Sequence, residues 1–310
     1  AEELPTTAYL LHGEGCRLNC AFCAQARDAG RQAGRLGRVT WPSFSQREVI
    51  QRLEQASPGK LQRLCLQAVY EPGGEKAVAD LTRRLAGAQP LPLSLSVPVF
   101  SVEEAAGFFS AGAERLSLAL DAVTGELYAR YKGGRLQARL RLLLGCARRW
   151  PGRMSTHLIC GLGETEEEVA SLLDLLLQEG ITVALFAFTP LKGTALERRL
   201  PPPPGSYRRL QALHYLLRQG HISLGDLRFH RGRLASFGID SGSLRDLLKG
   251  GQAFQTSGCP GCNRPYYNEK PGGFIYNYPR RLGPSEAAAA LELLPGRGEL
   301  SADRDLEAGG

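Results

Sequence analysis

The chain has 310 residues, 43% of them hydrophobic, so it can bury a full core as one large domain with an extension. No apolar run approaches the roughly 20 residues of a membrane span, and no signal peptide precedes the first motif, so we expect no membrane partner. The net charge of +7 would suit nucleic acid or an acidic protein. The arginines are scattered along helical segments without interleaved aromatic residues, which favours a solvated surface and no nucleic-acid partner.

The first predicted element is a short buried strand in the apolar run from Ala8 to Leu11. It is followed by the spacing C-x3-C-x2-C at Cys16, Cys20 and Cys23. Thiolates suit zinc or iron–sulfur clusters. Three of them leave one iron of a [4Fe–4S] cube open, whereas structural zinc needs a fourth ligand, and no Cys or His follows until Cys65. A zinc knuckle or redox-inactive core cysteines are the alternatives.

Strands and helices alternate through the next part of the chain. Strands are predicted over residues 61–70, 91–100, 115–120, 154–160, 181–188 and 223–229, and helices over 45–55, 75–88, from 101, from 121 to about 150, 164–179, 207–219 and 243–249. This alternation is typical of a parallel (β/α) barrel or of a doubly wound sheet. Gly161-Leu162-Gly163 lacks the third glycine of a dinucleotide fingerprint, which disfavours the second fold.

Beyond residue 250 the composition shifts to glycine, proline and aromatic residues, and this segment contains Cys259-Pro-Gly-Cys262. A CxxC can chelate one metal with both thiolates. A zinc-ribbon half-site or a redox dithiol are the alternatives, but the chain has no second CxxC and no thioredoxin-like context. Eight cysteines in a chain of this length, three of them clustered, favour the reducing cytoplasm over a disulfide scaffold.

The three-cysteine spacing, with Phe22 before the last cysteine and a strand before the first, resembles the signature of radical S-adenosylmethionine (SAM) enzymes. In that family the open iron binds the amino and carboxylate groups of SAM, and an electron from the cluster cleaves SAM to a 5′-deoxyadenosyl radical. The resemblance implies a [4Fe–4S] cluster with SAM at Cys16, Cys20 and Cys23. It also decides the fold class, an α/β protein with a (β/α)8-type TIM barrel of seven or eight strands.

Four further stretches resemble the SAM contacts of biotin synthase and its relatives, in the same order. They are Gly73-Gly74-Glu75 for the amine, Asp121 for the ribose, Gly161, Gly163 and Glu164 for the adenine, and Leu191 to close the series. A simple turn before a helix explains the first stretch equally well, and an N-cap explains Asp121. No catalytic residue is predicted beyond the cluster ligands.

Cys65 resembles a biotin synthase cysteine that binds an auxiliary, sulfur-donating iron–sulfur cluster, and Arg228 resembles the unusual arginine ligand of that cluster. Cys65 alone could equally be a small core side chain. The other two auxiliary cysteines of biotin synthase are missing, because Ser94, Ser96 and Ser155 occupy those regions. Cys146 and Cys160 are predicted to be structural.

The segment around Cys259 and Cys262, with Tyr-Asn-Tyr-Pro at 276–279 and Arg-Val-Thr-Trp-Pro at 38–42, resembles the two-protein lipoyl synthases of archaea and some bacteria. The resemblance implies a second cluster at Cys65, Cys259 and Cys262, facing the first across the barrel mouth. It implies sulfur insertion into a protein-bound octanoyl chain, with an octanoylated lipoyl-carrier protein, a second radical SAM protein and a ferredoxin or flavodoxin as partners. Sulfur insertion into dethiobiotin and a non-catalytic iron–sulfur or zinc scaffold remain alternatives.

These expectations divide the chain into three parts. Residues 1–250 form the barrel, residues 251–283 form a C-terminal segment that carries the second cluster and acts as a lid, and residues 284–310 form a helix with a charged tail.

Overall fold

The computed structural model describes residues 3–13, 15–29, 35–36, 38–56, 59, 61–265, 267, 269 and 272–294. Its strands are β1 (Thr7–His12), β2 (Arg35–Leu36), β3 (Val39–Thr40), β4 (Arg63–Ala68), β5 (Leu93–Ser96), β6 (Arg115–Ser117), β7 (Met154–Cys160), β8 (Thr182–Ala187), β9 (Arg228–His230) and β10 (Arg233–Ser236). Its α-helices are α1 (Gln46–Gln55), α2 (Glu75–Ala88), α3 (Val102–Ser110), α4 (Gly125–Tyr131), α5 (Leu136–Arg149), α6 (Glu166–Gln178), α7 (Pro204–Gln219), α8 (Ser241–Leu248) and α9 (Pro284–Glu292).

The central sheet has six parallel strands in the order β1-β4-β5-β6-β7-β8. Helices connect successive strands, as parallel pairing requires. The prediction of a parallel (β/α) barrel is therefore confirmed as a partial barrel. In the described part of the chain, β1 and β8 remain the edge strands of this sheet.

The strand predicted over residues 223–229 does not join the barrel. A 3-10 turn, Leu224–Asp226, occupies the first half, and β9 pairs only with β10 in a separate antiparallel hairpin. Arg231, at φ +50°, and Gly232, at φ +78°, form the reversal between the two strands. This reversal turns the chain back on itself before it could extend the parallel sheet, so the prediction is wrong at this element.

The two faces of the sheet differ in chemistry. Every second residue is a leucine at most 1% exposed, packed in the layer shared with the helices: Leu64, Leu66, Leu93, Leu95 and Leu116. The intervening residues face the barrel interior, and they are small or polar: Cys65, Ser94, Ser96, Ser117 and Ser155. Alternation with a period of two therefore places the hydrophobic core on one face of the sheet and small or polar side chains on the other.

Serine side chains cap the amino ends of α1 and α3. The Ser45 side chain accepts a hydrogen bond from the Glu48 backbone, and the Ser45 backbone donates to the Glu48 carboxylate, which completes a capping box at α1. Ser101 accepts from the Glu104 backbone at α3, but the Glu104 carboxylate bonds the Phe100 backbone instead of that of Ser101. Each such cap stabilises its helix by about 1 kcal/mol.

The C-terminal segment (residues 251–283) is held against α7 by Arg208, which is 1% exposed. Its guanidinium donates to the carbonyls of Ile275 and Tyr276, each at 2.6 Å, and lies 5.4 Å from the centre of the Phe254 ring. A buried cation with several partners makes a firm anchor. The predicted terminal helix is present as α9, and the predicted charged tail lies outside the described residues.

Among the described helices, none has the length and apolar character that crossing a bilayer needs.

Candidate functional site

One cavity of about 350 Å³ runs inside the partial barrel. Nine of the predicted site residues line it: Cys16, Cys20, Phe22, Cys23, Cys65, Asp121, Leu191, Cys259 and Cys262. We refer to Cys16, Cys20 and Cys23 as the first cysteine group, and to Cys65, Cys259 and Cys262 as the second. Both groups therefore face a common space.

The first cysteine group lies on the cysteine loop (residues 15–29), which follows the carboxyl end of β1. Backbone hydrogen bonds hold this loop to its neighbours: Arg17 donates to the Tyr70 carbonyl at 2.9 Å, and Ala21 donates to the Tyr131 carbonyl at 2.8 Å. The carboxyl ends of strands are where parallel barrels carry their active sites. The loop is thus fastened to the end of β4 and to α4, at the functional end of the barrel.

Gly13 connects β1 to this loop with φ +96°. A Cβ added there would lie 2.4 Å from Cγ2 of Val69, closer than atoms can approach. Glycine is therefore required at this position both by its backbone conformation and by the neighbouring strand end.

The thiols of the first group have the surroundings of metal ligands. The backbone of Tyr70 donates to Cys16 Sγ at 3.3 Å, and that of Gln25 donates to Cys23 Sγ at 3.4 Å, so both sulfurs already receive donors that suit thiolates. Burial raises the pKa of Cys20 to about 12 and that of Cys23 to about 11. A metal that binds here must displace these protons, because thiolates are the ligating form.

In the described part of the chain, no three His, Cys, Asp or Glu side chains converge to hold a single metal ion. A [4Fe–4S] cube does not need such convergence, because each of its three thiolates binds a different iron. The three thiols of the cysteine loop are the number of ligands that leaves one iron of a cube open, whereas structural zinc needs four.

Asp121 lies on the cavity wall in an ion-pair cluster. Its carboxylate contacts Lys132 Nζ and His157 Nε2, each at 2.6 Å, and Lys132 also donates to the Ala119 carbonyl at 2.9 Å. Burial alone would raise the pKa of Asp121, but Lys132 and His157 hold it below its usual range. The carboxylate is thus ionised, and two of its hydrogen-bonding positions are already taken. Its predicted contact with a ribose stays a prediction.

The second cysteine group lies at the opposite end of the cavity from the first. Cys65 is the third residue of β4 and pairs in register with Tyr9, the third residue of β1. The turn that carries Cys259 and Cys262 is bound to the amino ends of these strands, through Thr6 Oγ1 to the Gly261 carbonyl at 2.7 Å.

The second group is therefore not at the barrel mouth, where the prediction placed it. That the two groups hold clusters that face each other stays a prediction. The two groups are separated along the strands, and the distance from the level of Cys65 to the end of β4 at Ala68 is about 10 Å at roughly 3.3 Å per residue.

Three further side chains surround the second group. Tyr9 Oη lies 3.4 Å from Cys262 Sγ and accepts a hydrogen bond from the Arg264 backbone at 2.9 Å. The Arg264 guanidinium lies 4.2 Å from the centre of the Phe186 ring, and Tyr267 packs edge-on against the same ring. Burial raises the pKa of the Cys65 thiol, and Cys262 and Cys259 raise it further.

Several predicted SAM contacts lie outside the cavity lining. Gly73, at φ +79°, and Gly74 form the turn before α2, and Glu75 is its first residue, so the simple-turn alternative accounts for their geometry. Their contact with a SAM amine stays a prediction.

The same holds for the predicted adenine contacts. The Glu164 carboxylate accepts from the backbones of Gly161 at 2.5 Å and Leu162 at 2.9 Å and so folds its own loop. A Cβ on Gly161 would meet Pro202 at 2.9 Å, so a protein side chain fills the space that this glycine leaves. Gly163, at φ +121°, likewise lies off the cavity lining, and these residues have no described ligand-facing surface.

Arg228 requires a correction. It is exposed on the β9–β10 hairpin and donates to the carbonyls of Gly225 and Leu227, each at 2.9 Å. It does not line the cavity. Arg264, in contrast, lines the cavity beside the second cysteine group.

The sequence reasoning missed five cavity residues: Tyr9, Lys132, His157, Arg264 and Tyr267. Strand alternation could have found two of them, because Tyr9 is paired with Cys65 and His157 lies two residues after Ser155. Lys132 caps the end of α4, and no periodic pattern marks that position. Cys146 and Cys160 are buried in the hydrophobic core, as their predicted structural role requires.

A cysteine loop at the carboxyl end of a partial parallel barrel is the arrangement of an enzyme class that binds an iron–sulfur cluster there. A family model described as the radical SAM superfamily matches residues 10–176, more than half of the sequence, and the chain belongs to this superfamily. Membership implies a [4Fe–4S] cluster with SAM, and the three thiols of the cysteine loop are its predicted ligands.

Solved structures with the same fold include two of HydG, a maturase of the [FeFe]-hydrogenase. One has 12% identity over 68% of this chain and 50% of that chain, with a TM-score of 0.56. The other, from Carboxydothermus hydrogenoformans, has 15% identity over 92% and 65%, with a TM-score of 0.54. Methylornithine synthase (PylB) has 16% identity over 96% and 85%, with a TM-score of 0.51.

The chain thus spans between half and two thirds of the length of these HydG chains. At such identities the likeness extends to the fold alone. A search among curated proteins found no match to this sequence.

Proposed function

We propose that the protein is a radical SAM sulfurtransferase of the lipoyl synthase type, which inserts sulfur into an unactivated C–H bond of a protein-bound octanoyl chain. The observation that carries this proposal is the second cysteine group. Cys65, Cys259 and Cys262 line the same cavity as the cysteine loop, at its other end. The source of the hydrogen-abstracting radical and the source of sulfur would then face one substrate from opposite sides.

The turn that carries Cys259 and Cys262 is built to hold its shape. The Cys262 backbone donates to the Cys259 carbonyl at 3.1 Å, which closes the turn. Arg63, which is 3% exposed, donates to the Pro260 carbonyl at 2.8 Å and also pairs with Glu114. A turn fixed from both sides keeps its two sulfurs on the same side as Cys65, as a chelating site needs.

The cavity that both cysteine groups line suits a saturated carbon chain. The surface that lines the cavity is mostly apolar, and Leu11, Ala68, Val97, Ala119 and Ile159 contribute to it beside polar residues such as Ser94 and Ser117. A largely apolar pocket with a few polar groups is typical of a site that buries most of its ligand. Ser94 and Ser155 line the cavity. The sequence resemblance to biotin synthase would place cysteines in these regions, and their absence favours a different sulfur site from that enzyme's.

When bound, the clusters and SAM supply hydrogen abstraction and sulfur, while the protein positions the substrate and excludes water. The same proposal includes its partners: an octanoylated lipoyl-carrier protein as substrate, a second radical SAM protein and a ferredoxin or flavodoxin as reductant. It also includes a cytoplasmic location.

The test separates the two cysteine groups. The Cys259→Ala/Cys262→Ala variant, reconstituted anaerobically, should bind less iron and should still form 5′-deoxyadenosine from SAM while losing the thiolated product. Cys146→Ala is the matched control, because Cys146 is buried in the core and should retain both activities. Changing Cys16, Cys20 and Cys23 to Ala should abolish SAM cleavage.

Three results would contradict the proposal. Unchanged iron content in the double variant, or sulfur transfer by it, would show that Cys259 and Cys262 do not hold a second cluster. Turnover of dethiobiotin, but not of the octanoylated carrier protein, would contradict the proposed substrate. Absence of SAM cleavage by the fully loaded protein would favour a non-catalytic scaffold.

A further inference from the structure

Tyr9 makes a contact with a cysteine that neither the family nor the proposed activity assigns. It lies in the middle of β1, lines the cavity, and brings its phenol oxygen to 3.4 Å from Cys262 Sγ. Its strand neighbour in register is Cys65, so it stands beside two members of the second cysteine group.

The direction of this hydrogen bond follows from the other partner of the phenol. The Arg264 backbone N–H donates to Tyr9 Oη at 2.9 Å and occupies an oxygen lone pair. A phenol has one proton, and a metal-bound thiolate has none. Once Cys262 binds a metal, the phenol is therefore the only group of the pair that can donate, and its proton points to the sulfur.

The donor is held in place from several sides. Arg264 has an unusual backbone for a non-glycine residue, at φ +37°, and its guanidinium donates to the Ser257 carbonyl at 2.8 Å. Next to it, Asn263 accepts from the Thr6 backbone at 3.0 Å, which ties the turn to the segment that leads into β1. Tyr9 and Cys262 thus belong to one interlocked unit, although 253 positions separate them in sequence.

We propose that Tyr9 is a positioning residue that donates a hydrogen bond to the Cys262 thiolate and thereby raises the reduction potential of the second cluster. The inference rests on the proposed function, because it requires a cluster at the second cysteine group. Hydrogen bonds to cluster sulfurs set reduction potentials, since they stabilise the more negative, reduced state. Such a donor makes the second cluster easier to reduce than thiolate ligation alone would.

The experiment is a potentiometric titration of the doubly loaded full chain, followed by electron paramagnetic resonance. Added SAM should perturb only the signal of the first cluster, which distinguishes the two signals. Tyr9→Phe should lower the midpoint potential of the second cluster and leave that of the first unchanged. Tyr215→Phe, the same substitution on α7 next to His221 and outside the cavity lining, should leave both unchanged.

A second measurement keeps Tyr9 and removes the first cysteine group. In the Cys16→Ala/Cys20→Ala/Cys23→Ala variant, the backbone donors of Tyr70 and Gln25 no longer meet a cluster. Resonance Raman spectra of this variant in H2O and D2O should show a shift of an iron–thiolate stretching band, because the proton on the phenol exchanges. This measurement decides the question if Tyr9→Phe does not load with iron.

The outcomes separate the two ideas. A second cluster whose potential is the same in Tyr9→Phe, or whose iron–thiolate bands do not respond to D2O, overturns the role of Tyr9 and leaves the second cluster standing. A protein that shows only one cluster signal overturns the proposed function and this inference together.

Discussion

Replacing Asp121 by asparagine tests the charge cluster on the cavity wall. The substitution keeps the size and shape of the side chain, and asparagine tolerates the left-handed backbone that Asp121 adopts at φ +62°. It removes the negative charge that neutralises Lys132, whose side chain is only 10% exposed. The variant therefore isolates the loss of charge from any loss of packing.

The expected cost is about 3 kcal/mol of the free energy of unfolding. Removing one partner of a buried ion pair costs about 3–5 kcal/mol, because the other charge is left buried without compensation. We take the lower end because Lys132 and His157 line a cavity that water can enter. Lys132→Met should cost a similar amount, since it leaves the Asp121 carboxylate with His157 alone.

The assay is urea denaturation at pH 7 of four proteins: the parent, both single variants and the double variant. The double variant leaves no unpaired charge, so its cost should be well below the sum of the two single costs. Costs that simply add, or a cost below about 1 kcal/mol for Asp121→Asn, would refute the description of this cluster as a coupled, buried ion pair.

The pKa shifts of Asp121 and Lys132 predict how the stability of the folded protein changes with pH. The pKa of Asp121 is lower in the folded protein, so its stabilisation is present above about pH 4 and is lost as the pH falls through the folded pKa. Burial lowers the pKa of Lys132, but Asp121 outweighs it and the net shift is upward. That contribution is present below about pH 10 and is lost as the pH rises through the folded pKa. The parent and Asp121→Asn should therefore differ most near neutrality and converge at both extremes.

Two further predictions concern other parts of the barrel. Gly13→Ala places a Cβ against Val69, so it should displace the loop that carries Cys16, and we expect lower iron content after reconstitution with little change in circular dichroism. Unchanged iron content would contradict it. Burial, with a smaller effect of Arg218, lowers the pKa of His214 to about 4, so stability should fall by about 2–3 kcal/mol as the pH drops from 7 to 4.5. His214→Leu should abolish most of that fall in urea titrations at the two pH values, and an equally steep fall in the variant would contradict the assignment.

The sequence was most informative where one pattern had one physical cause. The six strands of the sheet were predicted because each is a short apolar or alternating run that lies between helical segments. The cysteine loop was predicted because its three ligands lie within eight residues. In both cases, the interactions that decide the structure are local.

The predictions that failed involve contacts between distant residues. Residues 223–229 have the apolar spacing of a strand, but Leu227 and Leu234 bury their side chains as part of the β9–β10 hairpin region instead of in a seventh parallel strand. Arg228 was placed by that same expected strand, so its predicted position failed with it. The position of the CxxC at the amino ends of the strands depends on contacts such as that between Thr6 and Gly261, which no periodicity reveals.

The separation of the two cysteine groups in sequence has a consequence for the biogenesis of the protein. The first group is contained in eight consecutive residues and is complete once the first strand and its loop have left the ribosome. The second group joins Cys65 to a turn that is translated much later, and Thr6 and Arg63 hold that turn against the sheet. Under the proposed function, a nascent chain would therefore expose the thiols of the first group well before those of the second come together.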